Sequence, residues 1–138
     1  MISLSTARKL KQAGLDWQPK LNDFFAIPER DLDERVFVIA DMLSTIELLQ
    51  DNQVVSFQGA SEWALDSLVL SEVVWMPSEE QLRLALEEAL LKRKRFGLRL
   101  VANLGGYRCE VPGDQEWQDF EASSAEEAYA AALLSLLV

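Results

Sequence analysis

The spacing of apolar residues changes several times along this chain, and each change marks a predicted element. Leu4, Ala7 and Leu10 share one side of a helix running to about Ala13, with Arg8, Lys9 and Lys11 on the other side. Ser3 or Ser5 is the expected cap. Gly14 supplies a left-handed stop across which Leu10 can meet Leu15, and cations in the last turn suit the helix dipole. Asp23 to Ile27 is aromatic, ends at Pro28 and reads as a strand. A charged turn, Pro28 to Glu34, separates it from Val36 to Ala40, whose unbroken apolar run reads as a strand buried on both faces. Ser44 to Phe57 fits two structures. Ser44 and Glu47 make a capping box for a short helix, whereas Ile46 to Leu48 and Val54 to Phe57 make a hairpin around Asp51 and Asn52. A helix is expected from Ser61 to about Leu70, carrying Trp63, Ala64, Leu65, Leu68 and Val69.

The second half is clearer. Ser78 and Gln81 form a capping box ahead of Leu82, Ala85, Leu86, Ala89 and Leu90, which recur at helical spacing opposite Glu79, Glu80, Arg83 and Glu87. Near Gly105 and Gly106 the period becomes two. With those glycines as a two-residue loop, Leu104 faces Tyr107, Ala102 faces Cys109 and Leu100 faces Val111. A third strand, Glu116 to Glu121, follows the Pro112-Gly113-Asp114 turn. Ser124 and Glu127 cap a last helix whose expected core face is Ala128, Ala131, Leu134 and Leu137. That helix is apolar almost all round, so it should be covered on more than one side, by a helix of the same chain or by a second copy in a homodimer. Trp117 and Phe120 have opposite parity on their strand, so one of them faces away from the core unless a bulge intervenes, and Trp117 is the candidate for the exposed one. Trp117, Leu133 and Leu136 are the candidate contact residues.

These elements predict an α+β protein with mainly antiparallel sheets packed against helices. Residues 1–138 read as one domain, in which 1–72 and 76–138 can each be written as an αβββα repeat. The junctions Phe57 to Ala64 and Phe120 to Ala128 are similar apart from one inserted residue.

Composition then removes whole classes of chemistry. The chain of 138 residues has no histidine, which excludes Ser-His and Cys-His nucleophile pairs and the commonest zinc ligand. Its formal charge of −10 is the wrong sign for a nucleic-acid binder or an anionic membrane surface. Beyond Cys109 there is no Lys or Arg. Cys109 is the only cysteine, so no intrachain disulfide can form and a reducing, cytoplasmic location is expected. The longest nearly unbroken apolar stretch, Ala128 to Val138, is too short to span a bilayer, which takes about 20 residues.

Asp31 and Asp33, flanked by Glu29 and Glu34, resemble a D-x-D metal cluster. They lack the further spaced oxygen ligands and turn glycine of a calcium loop. Asp41 follows a strand, as carboxylates do in phosphate-transfer sites, but no phosphate-binding glycine loop accompanies it. Lys92 to Arg95 is a basic run that the end of a helix also explains. Cys109 falls on the expected core face with no base to activate it.

The strings Asp23 to Pro28, Val36 to Met42, Glu62 to Asp66 and Trp75 to Leu82 resemble a family of uncharacterised Firmicutes proteins, some labelled pilus assembly proteins; the resemblance covers most of the chain. Gly105 to Cys109, with Ala125 to Ala128 and the Ala-Leu-rich end, is similar to the phage ABA sandwich domain, which implies a helix–sheet–helix layering over about 78–138. Neither resemblance implies catalytic residues. The function expected is therefore non-catalytic and without cofactor: binding to another protein or to itself. The alternatives from other classes are a divalent-metal hydrolase or phosphatase using Asp31, Asp33 and Asp41, and an acidic phage-associated inhibitor imitating nucleic acid.

Overall fold

A computed structural model describes residues 1–28, 32–39, 44–49, 52–57, 67–69 and 73–137. It is an α+β structure of helices α1 (Leu4–Gln12), α2 (Glu79–Lys92) and α3 (Ala125–Leu137) with strands β1 (Phe24–Ile27), β2 (Leu32–Val38), β3 (Ser44–Leu49), β4 (Asn52–Phe57), β5 (Ser67–Val69), β6 (Val74–Trp75), β7 (Arg99–Asn103), β8 (Gly106–Pro112) and β9 (Trp117–Ala122). The strands form antiparallel sheets of order β2-β1-β6, β3-β4-β5 and β7-β8-β9. The chain divides into two compact units, Met1–Leu15 with Pro77–Val138, and Asp16–Met76.

In the unit Asp16–Met76, Phe25, Ile27, Ile39 and Val73 are buried together, with Trp17 and Phe37 packed on them. Trp17 stacks on Trp75 with ring centroids 6.1 Å apart. Its indole N–H donates to Asp23 Oδ2 at 2.9 Å, which also accepts from the Lys20 backbone N–H at 3.0 Å. That pair of bonds explains how the carboxylate of Asp23 tolerates 4 % exposure.

Several expectations need correction in this unit. The strand around Val36 begins earlier, at Leu32, and among the described residues it pairs only with β1. Period-two burial puts Phe37 and Ile39 inward while Val36 and Val38 stay about 40 % and 41 % exposed, so it is covered on one face and not two. The hairpin reading of Ser44 to Phe57 holds: β3 and β4 pair from Ser44↔Phe57 to Leu49↔Asn52. Ser67–Val69, expected in a helix, is a strand on β4; the remainder of that expected helix, including Ser61 and Trp63, lies outside the described residues. Among the described residues the strand at Val55 (β4) pairs with β3 and β5, whereas β1 pairs with β2 and β6, so the expected strands near Phe25 and Val55 belong to different sheets, and α1 belongs to the other unit.

The other unit is built as the second half of the sequence suggests. Ser3 caps α1, accepting from the Thr6 N–H. At its end, Leu15 N–H donates to Leu10 C=O and Gly14 N–H to Lys11 C=O, with Gly14 at φ +96°, the Schellman arrangement. The Ser78–Gln81 capping box opens α2, which buries Leu82, Leu86 and Leu90 on one stripe. Its end repeats the Schellman pattern, with Arg95 N–H on Leu90 C=O and Lys94 N–H on Leu91 C=O, but Lys94 stands at φ +55° where glycine is favoured. Replacing Lys94 by glycine is therefore expected to raise stability by about 0.5–1 kcal/mol, read as a higher urea midpoint.

The basic run beside it is spent on structure. Arg93 donates to the Ala89 and Leu136 carbonyls, Arg95 pairs with Asp114, and Lys92 reaches Glu88 at 3.2 Å. Arg93 thereby satisfies a carbonyl of the last turn of α3, where the helix dipole favours a cation.

Helix α3 packs on β8, β9, α2 and α1, so its cover comes from this chain. Its buried residues are Ala125, Ala128, Tyr129, Ala130, Ala132, Leu133 and Leu136. The expected face was rotated: Ala131, Leu134 and Leu137 are only half-buried. A helix surrounded on several sides has no polar side to mark which stripe points inward. Glu127 ties α1 to it, accepting from Ser3 N–H and Thr6 Oγ1, each at 2.7 Å.

Candidate functional site: the open face of the β7–β9 sheet

Strand parity divides the residues of this sheet between two faces. Leu100, Cys109, Val111 and Phe120 turn toward the helices; Arg99, Val101, Arg108, Glu110, Trp117, Asp119 and Glu121 turn the other way. Helix α3 packs on β8 and β9. The other face is open at Arg99, Trp117, Asp119 and Glu121.

The pairing register is Ala102↔Tyr107 and Leu100↔Cys109, two residues away from the expected one. The loop is Leu104-Gly105, not Gly105-Gly106. Asn103 Oδ1 accepts from Gly105 N–H at 3.1 Å, and Gly106 has already joined the ladder opposite Asn103. Because the slip is two residues, every side chain keeps its expected face. Two residues of the expected core face are nevertheless outside it: Ala102 is exposed, and Leu104, now in the loop, is fully exposed.

Trp117 is 45 % exposed on the open face, where it was expected. The Arg99 guanidinium lies 4.8 Å from its ring centroid, a cation–π contact. The indole also lies over Gly97, at which a Cβ would come within 2.9 Å of Cη2. Arg99 Nε reaches Glu110 at 3.3 Å, and Arg108 Nε lies 3.6 Å from the same carboxylate. The indole thus touches Gly97 at the edge of its six-membered ring and Arg99 over its centroid, and Arg99 is itself paired with Glu110. Phe96, next to Gly97, is 71 % exposed.

The other candidates fall elsewhere. Leu133 and Leu136 are 1 % and 7 % exposed on α3, so they form core and not contact surface; the physical reason is the cover supplied by α1, α2 and the sheet. Asp31 and Asp41 lie outside the described residues, and only the backbone of Asp33 is described, in β2. Among the described residues no group of carboxylates and cysteine converges as a metal site, and no helix is long and apolar enough to cross a membrane.

Cys109 is fully buried. Burial, with Glu110 beside it, pushes its thiol from 9.0 up to about 11. Burial, with Glu79 second, also raises the Tyr129 hydroxyl. Each group keeps its proton in the folded state at a pH where the unfolded chain releases it, so stability falls as pH rises. For Cys109 the loss falls between about pH 9 and 11. Cys109→Ala should show a shallower fall of Tm across that window. The native thiol should resist disulfide reagents near neutral pH and react once the protein is unfolded.

A depression of about 260 Å³ at the hairpin end is lined by Asn103, Gly105, Tyr107, Glu121 and Ala122; it is smaller than ordinary small-molecule sites, which begin near ~300 Å³. The chain matches no protein-family model, no curated protein and no solved structure.

Proposed function

We propose that this protein is a non-catalytic module that binds another protein through the open face of its β7–β9 sheet, with Trp117 as the anchor. The observation that carries this reading is the exposed indole of Trp117. A large aromatic already in contact with Gly97 and Arg99 loses less freedom on binding than a free side chain, and tryptophan is prominent among interface hot spots. Self-association has less support than the sequence suggested, because the apolar circumference of α3 is already covered by α1, α2 and the sheet.

The test is a photo-reactive phenylalanine analogue placed at position 117, and separately at the exposed positions Leu84 and Leu104, in the full chain irradiated in extract of its source cells. The reading expects a discrete adduct at position 117 that the other positions do not give. No adduct at position 117, or the same adducts from all positions, contradicts it.

A further inference from the structure

Strand β9 is paired on one side only among the described residues. On its other edge no described strand pairs with it, and a strand edge presents backbone N–H and C=O groups that can receive a further strand. Its open-face side chains are Trp117, Asp119 and Glu121, at alternate positions. In the register, Asp119 stands opposite Glu110, whose carboxylate takes both Arg99 and Arg108 and leaves Asp119 without a counter-charge among the described residues. Glu121 stands opposite Arg108, but that guanidinium lies against Glu110. Among the described residues neither Asp119 nor Glu121 has an ion pair, and both are exposed. On β7 the one charged residue, Arg99, is engaged by Glu110 and Trp117.

Resting on the binding reading above, we infer that β9 takes up an extended basic segment of another protein as a fourth strand, with lysine or arginine at alternate positions. Strand addition satisfies the edge backbone groups. The period-two side chains of the incoming segment would lie beside Asp119 and Glu121 and supply the counter-charge they lack within the sheet. The next open-face side chain would lie against Trp117. Charge complementarity also decides against a second copy: β9 on β9 would set Asp119 and Glu121 beside other carboxylates, since the chain has no Lys or Arg beyond Cys109. The formal charge of −10 adds long-range attraction for a cationic segment.

The experiment measures amide hydrogen exchange of the full chain with synthetic peptides of about six residues. One alternates lysine with valine, one alternates glutamate with valine, and one keeps the lysines but replaces the valines by proline, which cannot join a ladder. The lysine–valine peptide alone should slow exchange along β9. Its affinity should fall about tenfold in the Asp119→Asn, Glu121→Gln double variant. Equal binding of the proline peptide, protection on β7, or no protection of β9 overturns strand addition. Should β9 stay unprotected while position 117 still gives its specific adduct, the inference fails and the binding reading survives; loss of that adduct sinks the binding reading itself.

Discussion

Leu133→Ala is expected to destabilise the protein by about 2–5 kcal/mol, the range for truncating a fully buried leucine in a core that cannot collapse around the void. Leu133 is 1 % exposed on a helix that meets β8, β9, α2 and α1. Packed elements on several sides leave little freedom to close a gap. Leu134→Ala, one position along, should cost clearly less, about 1 kcal/mol, because Leu134 is half-buried. Urea unfolding of the two variants decides between the face of α3 described here and the rotated face its alanine and leucine spacing suggested; a larger loss at Leu134 would restore the latter.

Gly106→Ala should cost about 2–4 kcal/mol, even though it adds only one methyl group. Gly106 stands at φ +145°, where other residues are strained. A Cβ there would meet the Ala122 carbonyl oxygen at 2.3 Å and Ser123 Cα at 3.1 Å. Both are backbone atoms at the end of β9, so relief requires the strand to move. Gly105→Ala, where the nearest atom is Asn103 Oδ1 at 3.9 Å, should change stability far less. The comparison is read from urea midpoints, and equal values for the two variants would contradict the close approach.

These two sites also show what could be seen in the residues beforehand. The ends of α1 and the start of α2 were legible because each is written in local chemistry: Ser3, Gly14 and Leu15, then Ser78 and Gln81. The hairpin was legible in its faces but not in its register, since a Gly-Gly pair signals a turn without saying which glycine must enter the ladder. The β5 strand was hidden because Leu65, Leu68 and Val69 fall at helical spacing, whereas the pairing of Ser67–Val69 with Val54–Ser56 is non-local. On the candidate site, parity alone set Trp117 or Phe120 outward. The Gly97 and Arg99 supports were missed, because nothing in a sequence says that a residue two positions before a strand will lie beneath an indole from another.

If Trp117 is there to meet a partner, the fold should hardly need it. Equilibrium urea unfolding of Trp117→Ala tests this most directly: the account predicts a loss of no more than about 1–2 kcal/mol, comprising the Arg99 contact and partial burial. A loss of about 4 kcal/mol, as large as truncating a core aromatic, would make the indole a structural element and contradict the account.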